Sequence, residues 1–409
     1  MNIIAMIILF AIAIDFLLHV FADCLNLKMM RKELPETFQG VYDPARYRKS
    51  QEYLRVNTRF GWISSAFDVA LILIFWFGKG FLLLDDWARS LGYGPVITGL
   101  IFIAALMMLK GLFSFPFTIY RTFVIEERFG FNRTTWSTFI MDLAKGLLLV
   151  LLLGTPIVAG ILAFFEYFGI NAWWYCWIAV TLYMLGVQFV APNWIMPLFN
   201  KFTPLEKGAL RDTILSYADS IHFSLENVFV MDGSKRSGKS NAFFTGFGNH
   251  KRIVLFDTLI KQHTVGELLA VLAHEMGHYK KRHIFQFMVL GIFQTGFVLY
   301  LLTLFISYQG LFDAFYIPQK SVHAGLIFFA MLFSPIDFFI GIFMKMLSRR
   351  NETAADLFAV ETTHDPKSMA EAMKKLSVHN LSNLLPHPFY VFLNYSHPPV
   401  LQRITAIQR

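Results

Sequence analysis

Seven stretches of this sequence stay apolar for close to twenty residues or more, and no other feature restricts the fold as strongly. A bilayer core about 30 Å thick takes roughly 20 mostly apolar helical residues to cross. The windows 3–20, 61–84, 98–118, 146–168, 173–196, 284–306 and 323–346 fit that requirement, so all seven are read as spanning helices. The fifth is interrupted at its end by Pro192 and Pro197 and opens on Trp173, Trp174 and Tyr175, an interfacial aromatic cluster, so its lower boundary is the loosest. A 409-residue chain that is 56% hydrophobic and 17% aromatic, with a mean hydropathy of +0.50, is too apolar for an ordinary soluble protein.

The charges are arranged to match. No basic residue precedes the first window and Lys28, Arg31 and Lys32 follow it, so it reads as a retained span and not as a cleavable signal peptide. The net charge of +8 alternates between loops. The first loop adds Arg46, Arg48, Lys49, Arg55 and Arg59; the second has Arg89; the third has Arg121, Arg128, Arg133 and Lys145. The fourth, at 169–172, has none, the fifth, at 200–283, is rich in Lys and Arg, and the sixth has Lys320. This pattern predicts an outside N terminus and an inside C terminus, and it accounts for the charge without nucleic acid as a partner. Cys24 and Cys176 are the only cysteines, which argues against a disulfide framework and a cysteine-rich metal site.

The predicted fold class is therefore mainly α, a polytopic membrane protein with a small α/β cap. Residues 1–199 hold spans one to five, 200–283 a polar α/β segment, 284–346 spans six and seven, and 347–409 a C-terminal polar segment. Within 200–283 the pattern reads helix (205–222), strand (226–231), turn, strand (252–256) and helix (264–282). After the last span it reads helix to about 361, helix 366–378, a Pro-containing loop at 386–399 and a short final helix.

The chemistry concentrates in these polar segments. His274-Glu275-Met276-Gly277-His278 is an HExxH pattern inside the apolar helical run Leu268, Leu269, Val271 and Leu272. Side chains at i and i+4 share a helix face. Both imidazoles then reach one zinc ion at roughly 2.0–2.1 Å, with Glu275 beside the open position as general base. Catalytic zinc also takes a third protein ligand. The metzincin pattern would supply it with Gly and His three and six residues after His278, where this chain has Lys281 and Ile284; His283 is one residue out of place. The better candidate is Glu352, within Arg349-Arg350-Asn351-Glu352-Thr353-Ala354-Ala355-Asp356. It lies just past span seven as HExxH lies just before span six, and a hairpin of those spans returns both to one side. Asp356, a helical turn on, can accept a hydrogen bond from the outer nitrogen of a ligand imidazole. Arg349 and Arg350 read equally well as juxtamembrane anchors.

At this point the sequence resembles the type I CaaX prenyl protease family of membrane zinc metallopeptidases, over nearly its whole length. The matching stretches are Pro197 to Leu205, Ser240 to Gly248, Arg252 to Asp257, HEMGH, Ser348 to Glu352 and Tyr395-Ser396-His397-Pro398-Pro399. The resemblance implies seven helices around a hydrated intramembrane chamber with the zinc site at its cytosolic end. It also implies removal of the last three residues from a CaaX sequence whose Cys carries an isoprenoid. Carried over by position, His397 would donate to the oxyanion of the scissile carbonyl, and Asn241 and Ala242, in an edge strand, would hold an extended substrate by strand addition. Asn351 stands where the family leads one to expect an aromatic residue, and Thr353 and Ala354 are smaller than usual. The chain lacks the long insertion and terminal retrieval signal associated with eukaryotic endoplasmic-reticulum members, so, with the endoplasmic reticulum membrane the alternative for a eukaryotic chain, a bacterial cytoplasmic membrane is the expected setting. The substrate there would be an unmodified membrane peptide or a damaged membrane protein, as for a quality-control protease.

Two readings compete. Gly233-Ser234-Lys235-Arg236-Ser237-Gly238-Lys239-Ser240 satisfies the Walker A pattern, which would make the chain a nucleotide-driven transporter. A phosphate loop has to open a helix, whereas the residues that follow are aromatic, glycine-punctuated and strand-like, so a basic hairpin loop without nucleotide is expected. Asp15, Asp68, Lys110 and Asp337 inside apolar windows would suit a non-enzymatic receptor or scaffold; they face either a cavity or a partner helix.

Overall fold

The computed structural model describes residues 2–31, 33–225, 227–245 and 252–408. Lys32, residue 226 at the head of an expected strand, and Gly246-Phe247-Gly248 of one matching stretch lie outside them.

Among the described residues, seven helices are long and apolar enough to cross a membrane: Ile3–Lys28, Pro44–Phe77, Pro95–Glu126, Trp136–Tyr167, Ala172–Phe199, His283–Phe305 and Val322–Thr363. Helix is the form in which one apolar run satisfies its own backbone in hydrocarbon. The expected windows fall on these helices, with differences at several ends. The second helix starts at Pro44, capped by Asp43, and stops at Phe77, where Lys79 takes a φ of +57 and a separate helix, Gly80–Ser90, begins. The window ending at 84 ran across that break because both sides of it are apolar. The first helix runs on to Lys28 and takes in Cys24, expected just beyond its end. The fifth stays helical past Pro192 by widening into a π turn over Ala191–Ile195, which absorbs the hydrogen bond that proline cannot donate.

The seventh span and the helix expected to follow it to about 361 form one helix of 42 residues, Val322–Thr363, without a break at 346. Its last turns leave the apolar band and enter the polar body, so the third candidate ligand sits on the same rigid rod as the span. The loop expected at 386–399 contains a short helix, Pro388–Asn394.

The polar body is built on a four-stranded sheet, β1 (Phe202–Pro204), β2 (Asn227–Met231), β3 (Ala242–Thr245) and β4 (Arg252–Phe256), in the order β1-β2-β4-β3. β2 and β4 are parallel; β1 and β3 flank them antiparallel. The Walker-like segment is therefore a crossover from β2 to the far edge β3, and the hairpin expected there is instead β3 to β4. No phosphate loop forms: the residues after Ser240 enter a strand, and Lys239 pairs with Glu126 at 3.2 Å. Arg236 makes a two-point ion pair with Asp142 at 2.7 Å, pinning this crossover to the fourth span.

The intramembrane charges divide between the two expected roles. Asp68 and Lys110 pair across spans two and three. Asp15 and Asp337 line a 940 Å³ cavity between spans one, two and seven.

Candidate metal centre

The helix carrying HExxH, Val265–Lys280, starts at a capping box: Thr264 Oγ1 accepts from the Glu267 N–H and the Glu267 carboxylate accepts from the Thr264 N–H. Lys375 adds a 2.7 Å ion pair to Glu267, tying this end to the next polar helix. At the other end Arg282 takes a φ of +60 and turns the chain into span six. That left-handed residue carries His283 back, so its Nδ1 lies 3.0 Å from Nδ1 of His278. For Nε2 of His278 to offer a lone pair, its Nδ1 must hold the proton, and His283 is positioned to accept it.

The long seventh helix packs its polar end directly on this one. Gly277 allows the approach: a Cβ there would meet the Ala355 carbonyl oxygen at 3.2 Å and the Phe358 ring at 3.0 Å. Gly277→Ala is expected to push the helices apart and weaken metal retention at least tenfold, consistent with the roughly 10–100-fold cost of disturbing a ligand's supports. Competition against a chelator of known affinity measures it; an unchanged dissociation constant would mean that the contact does not set ligand spacing.

The result of this packing is three converging ligand atoms. Nε2 of His274 and Nε2 of His278 lie 3.1 Å apart, and they lie 3.4 and 3.3 Å from the two carboxylate oxygens of Glu352. Tetrahedral coordination at about 2.0–2.1 Å separates ligand atoms by about 3.3 Å. The buried Glu352 Oε2 has no hydrogen-bond partner among the described residues, and two imidazole nitrogens face each other with no acceptor between them. A cation resolves both, so these residues form a metal-ion site. Burial disfavours charge on His274, but the carboxylates of Asp356 and Glu352 outweigh it and hold the ring's pKa above its ordinary value; an arriving cation displaces that proton.

Asp356, 1% exposed, lies with Oδ1 2.8 Å from His274 Nδ1. Arg403, which the sequence reading passed over, grips the same carboxylate with bonds of 2.7 and 2.6 Å. It stands one helical turn beyond the Ser-His-Pro-Pro stretch and looks there like the solvated face of a short terminal helix. Arg403→Ala takes the guanidinium from the buried Asp356 carboxylate and leaves it only its His274 contact, which costs up to about 3–5 kcal/mol of stability. A fall in the thermal midpoint with weaker metal retention is the expected outcome; an unaltered midpoint would show that Asp356 needs no such partner.

Glu275 is half-buried, faces the cleft, and has its carboxyl pushed up from its ordinary value by burial. The cleft measures 480 Å³ and is also lined by Asn241, Ala242, Glu352, His397 and Arg403. His397 lies with Nε2 3.2 Å from Glu352 Oε1 and Nδ1 2.9 Å from Ser396 Oγ, on a side chain 60% exposed. Its loop is held by Arg349, which donates to the Val391 and Tyr395 carbonyls, and by Lys345, which donates to Leu393. Arg349 is thus a loop clamp, while Arg350 is exposed. Asn351 is buried and donates to Gln286 across to span six, occupying the place where an aromatic side chain was expected. Asn241 lies just before, and Ala242 at, the start of the edge strand β3.

Residues 23–201 match the family described as CAAX prenyl protease N-terminal, five membrane helices, and residues 204–409 match peptidase family M48. A CAAX prenyl protease 1 homolog of Oryza sativa subsp. japonica is 35% identical, the alignment covering 96% of this chain and 95% of the relative. CAAX prenyl protease 1 of Saccharomyces cerevisiae is 32% identical, over 93% of this chain and 89% of the relative. The crystal structure of S. mikatae Ste24p matches with a TM-score of 0.94 at 31% identity, covering 100% of both chains.

Proposed function

We propose that this chain, which belongs to the CAAX prenyl protease 1 family of M48 peptidases, holds zinc on His274, His278 and Glu352 and hydrolyses peptide bonds near the C terminus of prenylated CaaX-type proteins. The observation that carries this reading is the convergence of three ligand atoms beside a cleft lined by His274, Glu352, Glu275 and the start of β3. Zinc bound there supplies a Lewis acid, which lowers the charge cost of attack on an amide carbonyl and makes water easier to deprotonate.

The protein's own groups do the rest. Glu275 accepts the proton of the attacking water and delivers it to the leaving amine; its raised pKa makes it a stronger base than an exposed carboxylate. His397 donates from Nε2 to the oxyanion, leaving its Glu352 contact to do so, while the Ser396 hydroxyl donates to Nδ1 and keeps the proton on the outer nitrogen. Asn241 and Ala242 pair with the substrate backbone as an added strand. His283 and Asp356 orient the two imidazoles. The basic residues at the cleft's end of the spans support a cytosolic cleft and an outside N terminus.

The test is to incubate the purified protein with matched prenylated and unmodified CaaX peptides, with and without chelator, and to map the cleaved bond by mass. Chelator-sensitive release of the last three residues, faster on the prenylated peptide, is expected. Equal rates on both would move the substrate class to unmodified membrane peptides and the role toward membrane-protein quality control.

A further inference from the structure

The outer edge of β3 is not free along its whole length. In an antiparallel pair, alternate residues turn both N–H and C=O toward the partner strand, and the residues between them turn both away. Asn241 faces β4, because its carbonyl accepts from the Phe256 N–H at 3.1 Å. Ser240, Ala242 and Phe244 therefore face outward, in the register that sets Ala242 against Leu255 and Phe244 against Ile253.

At Ser240 both outward groups are taken. The Asn380 carboxamide accepts from the Ser240 N–H at 3.1 Å and donates to the Ser240 carbonyl at 3.2 Å, the same two bonds that a residue of an added strand would make. At Ala242, among the described residues, the N–H meets only the side chain of the preceding Asn241, at 2.9 Å, a contact that rotation of that side chain releases. Asn380 and Ala242 line the same cleft.

Both partners in the Ser240 contact are fixed. Ser240 is buried, and its hydroxyl donates to Gln262 at 2.8 Å. Asn380 ends the helix Pro366–His379, and Leu381 after it takes a φ of +51, an unfavourable conformation for leucine that is kept by packing its side chain with Phe129 and Phe131. Asn383, one turn on, donates to Asn26 of span one at 3.1 Å.

An added strand can thus pair along β3 from Thr245 to Ala242 and no further. A CaaX substrate has three residues on one side of the cleaved bond and a whole protein on the other, so the short side takes the closed end. The substrate then runs antiparallel to β3, with its C terminus toward Asn380.

We propose that Asn380 is a positioning residue: it ends the substrate strand at Ser240 and so limits how many residues lie beyond the cleaved bond. This rests on the added-strand reading of Asn241 and Ala242.

The test compares a prenylated CaaX peptide with the same peptide extended by two residues, the step that reaches the next outward pair. Asn380→Ala frees Ser240 to make two further backbone bonds with the extended peptide. The ratio of its kcat/KM to that of the unextended peptide is expected to rise about tenfold over wild type, mainly through KM. Zinc content reports that the variant is folded; if it is not, Asn380→Ser, whose short hydroxyl cannot span both groups, carries the same comparison. N-methylation of the peptide's amides other than the scissile one, taken singly, tests the added strand in wild type, where loss of cleavage at alternate positions is expected. Such losses with an unchanged length ratio in the folded variant would show that Asn380 is not the stop. Indifference to every methylation would overturn the added strand itself.

Discussion

Glu275→Gln is expected to lower turnover by ~10²–10⁴-fold, the usual contribution of a positioned general base, while the protein keeps its metal. The argument rests on what Glu275 does not do. Its carboxylate has no hydrogen-bond or ion-pair partner among the described residues, and its environment acts on it only through burial and nearby charge. The glutamine is nearly isosteric, so the substitution breaks no structural bond and removes only the ability to accept a proton. Zinc content measured alongside peptide turnover separates the effects. A variant with wild-type turnover would place the base elsewhere in the cleft.

Glu352→Ala is expected to be as inactive for a different reason. Glu352 is 4% exposed and its carboxylate stands among His274, His278, His397 and Arg403 at 3.2 to 3.6 Å. Removing it takes away one ligand and the carboxylate these four groups share, leaving only Asp356, on His274 and Arg403, as counter-charge. Bound zinc should fall from about one per chain to near zero, and turnover should fall with it. Retention of zinc by this variant, measured after dialysis, would show that the third ligand is another residue.

The two glutamates also differ in how the sequence points to them. Glu275 was legible from spacing, because the HExxH pattern is local and a helix face is a local property. Glu352 was legible from topology, since two spans separating it from HExxH return it to the same side. What continued the seventh helix to Thr363 was the lack of any glycine or proline after Gly341 within it; hydropathy marks where a span leaves lipid, and a helix need not stop there. The same applies to the polar first turns of span two, Pro44 onward.

Other features had no local signal. Arg403 and Asp356 are 47 residues apart and meet only when the terminal helix packs on the seventh. His283 faces His278 because Arg282 adopts a left-handed backbone, a conformation arginine composition does not announce. β1 is three residues long, includes Pro204, and is identifiable only through its pairing with β2. Sequence order suggests a hairpin between β2 and β3, but β4 enters the sheet between them and makes that connection a crossover.

The central claim is that one metal ion, held by His274, His278 and Glu352, serves peptide hydrolysis in this membrane protein. The most direct measurement strips the purified protein with chelator and titrates zinc back while following cleavage of a prenylated CaaX peptide. Turnover should be absent at the start, rise in proportion to added zinc and level off at about one equivalent per chain, with no recovery in Glu352→Ala. Cleavage that survives complete removal of metal, or recovery in that variant equal to wild type, would contradict the account.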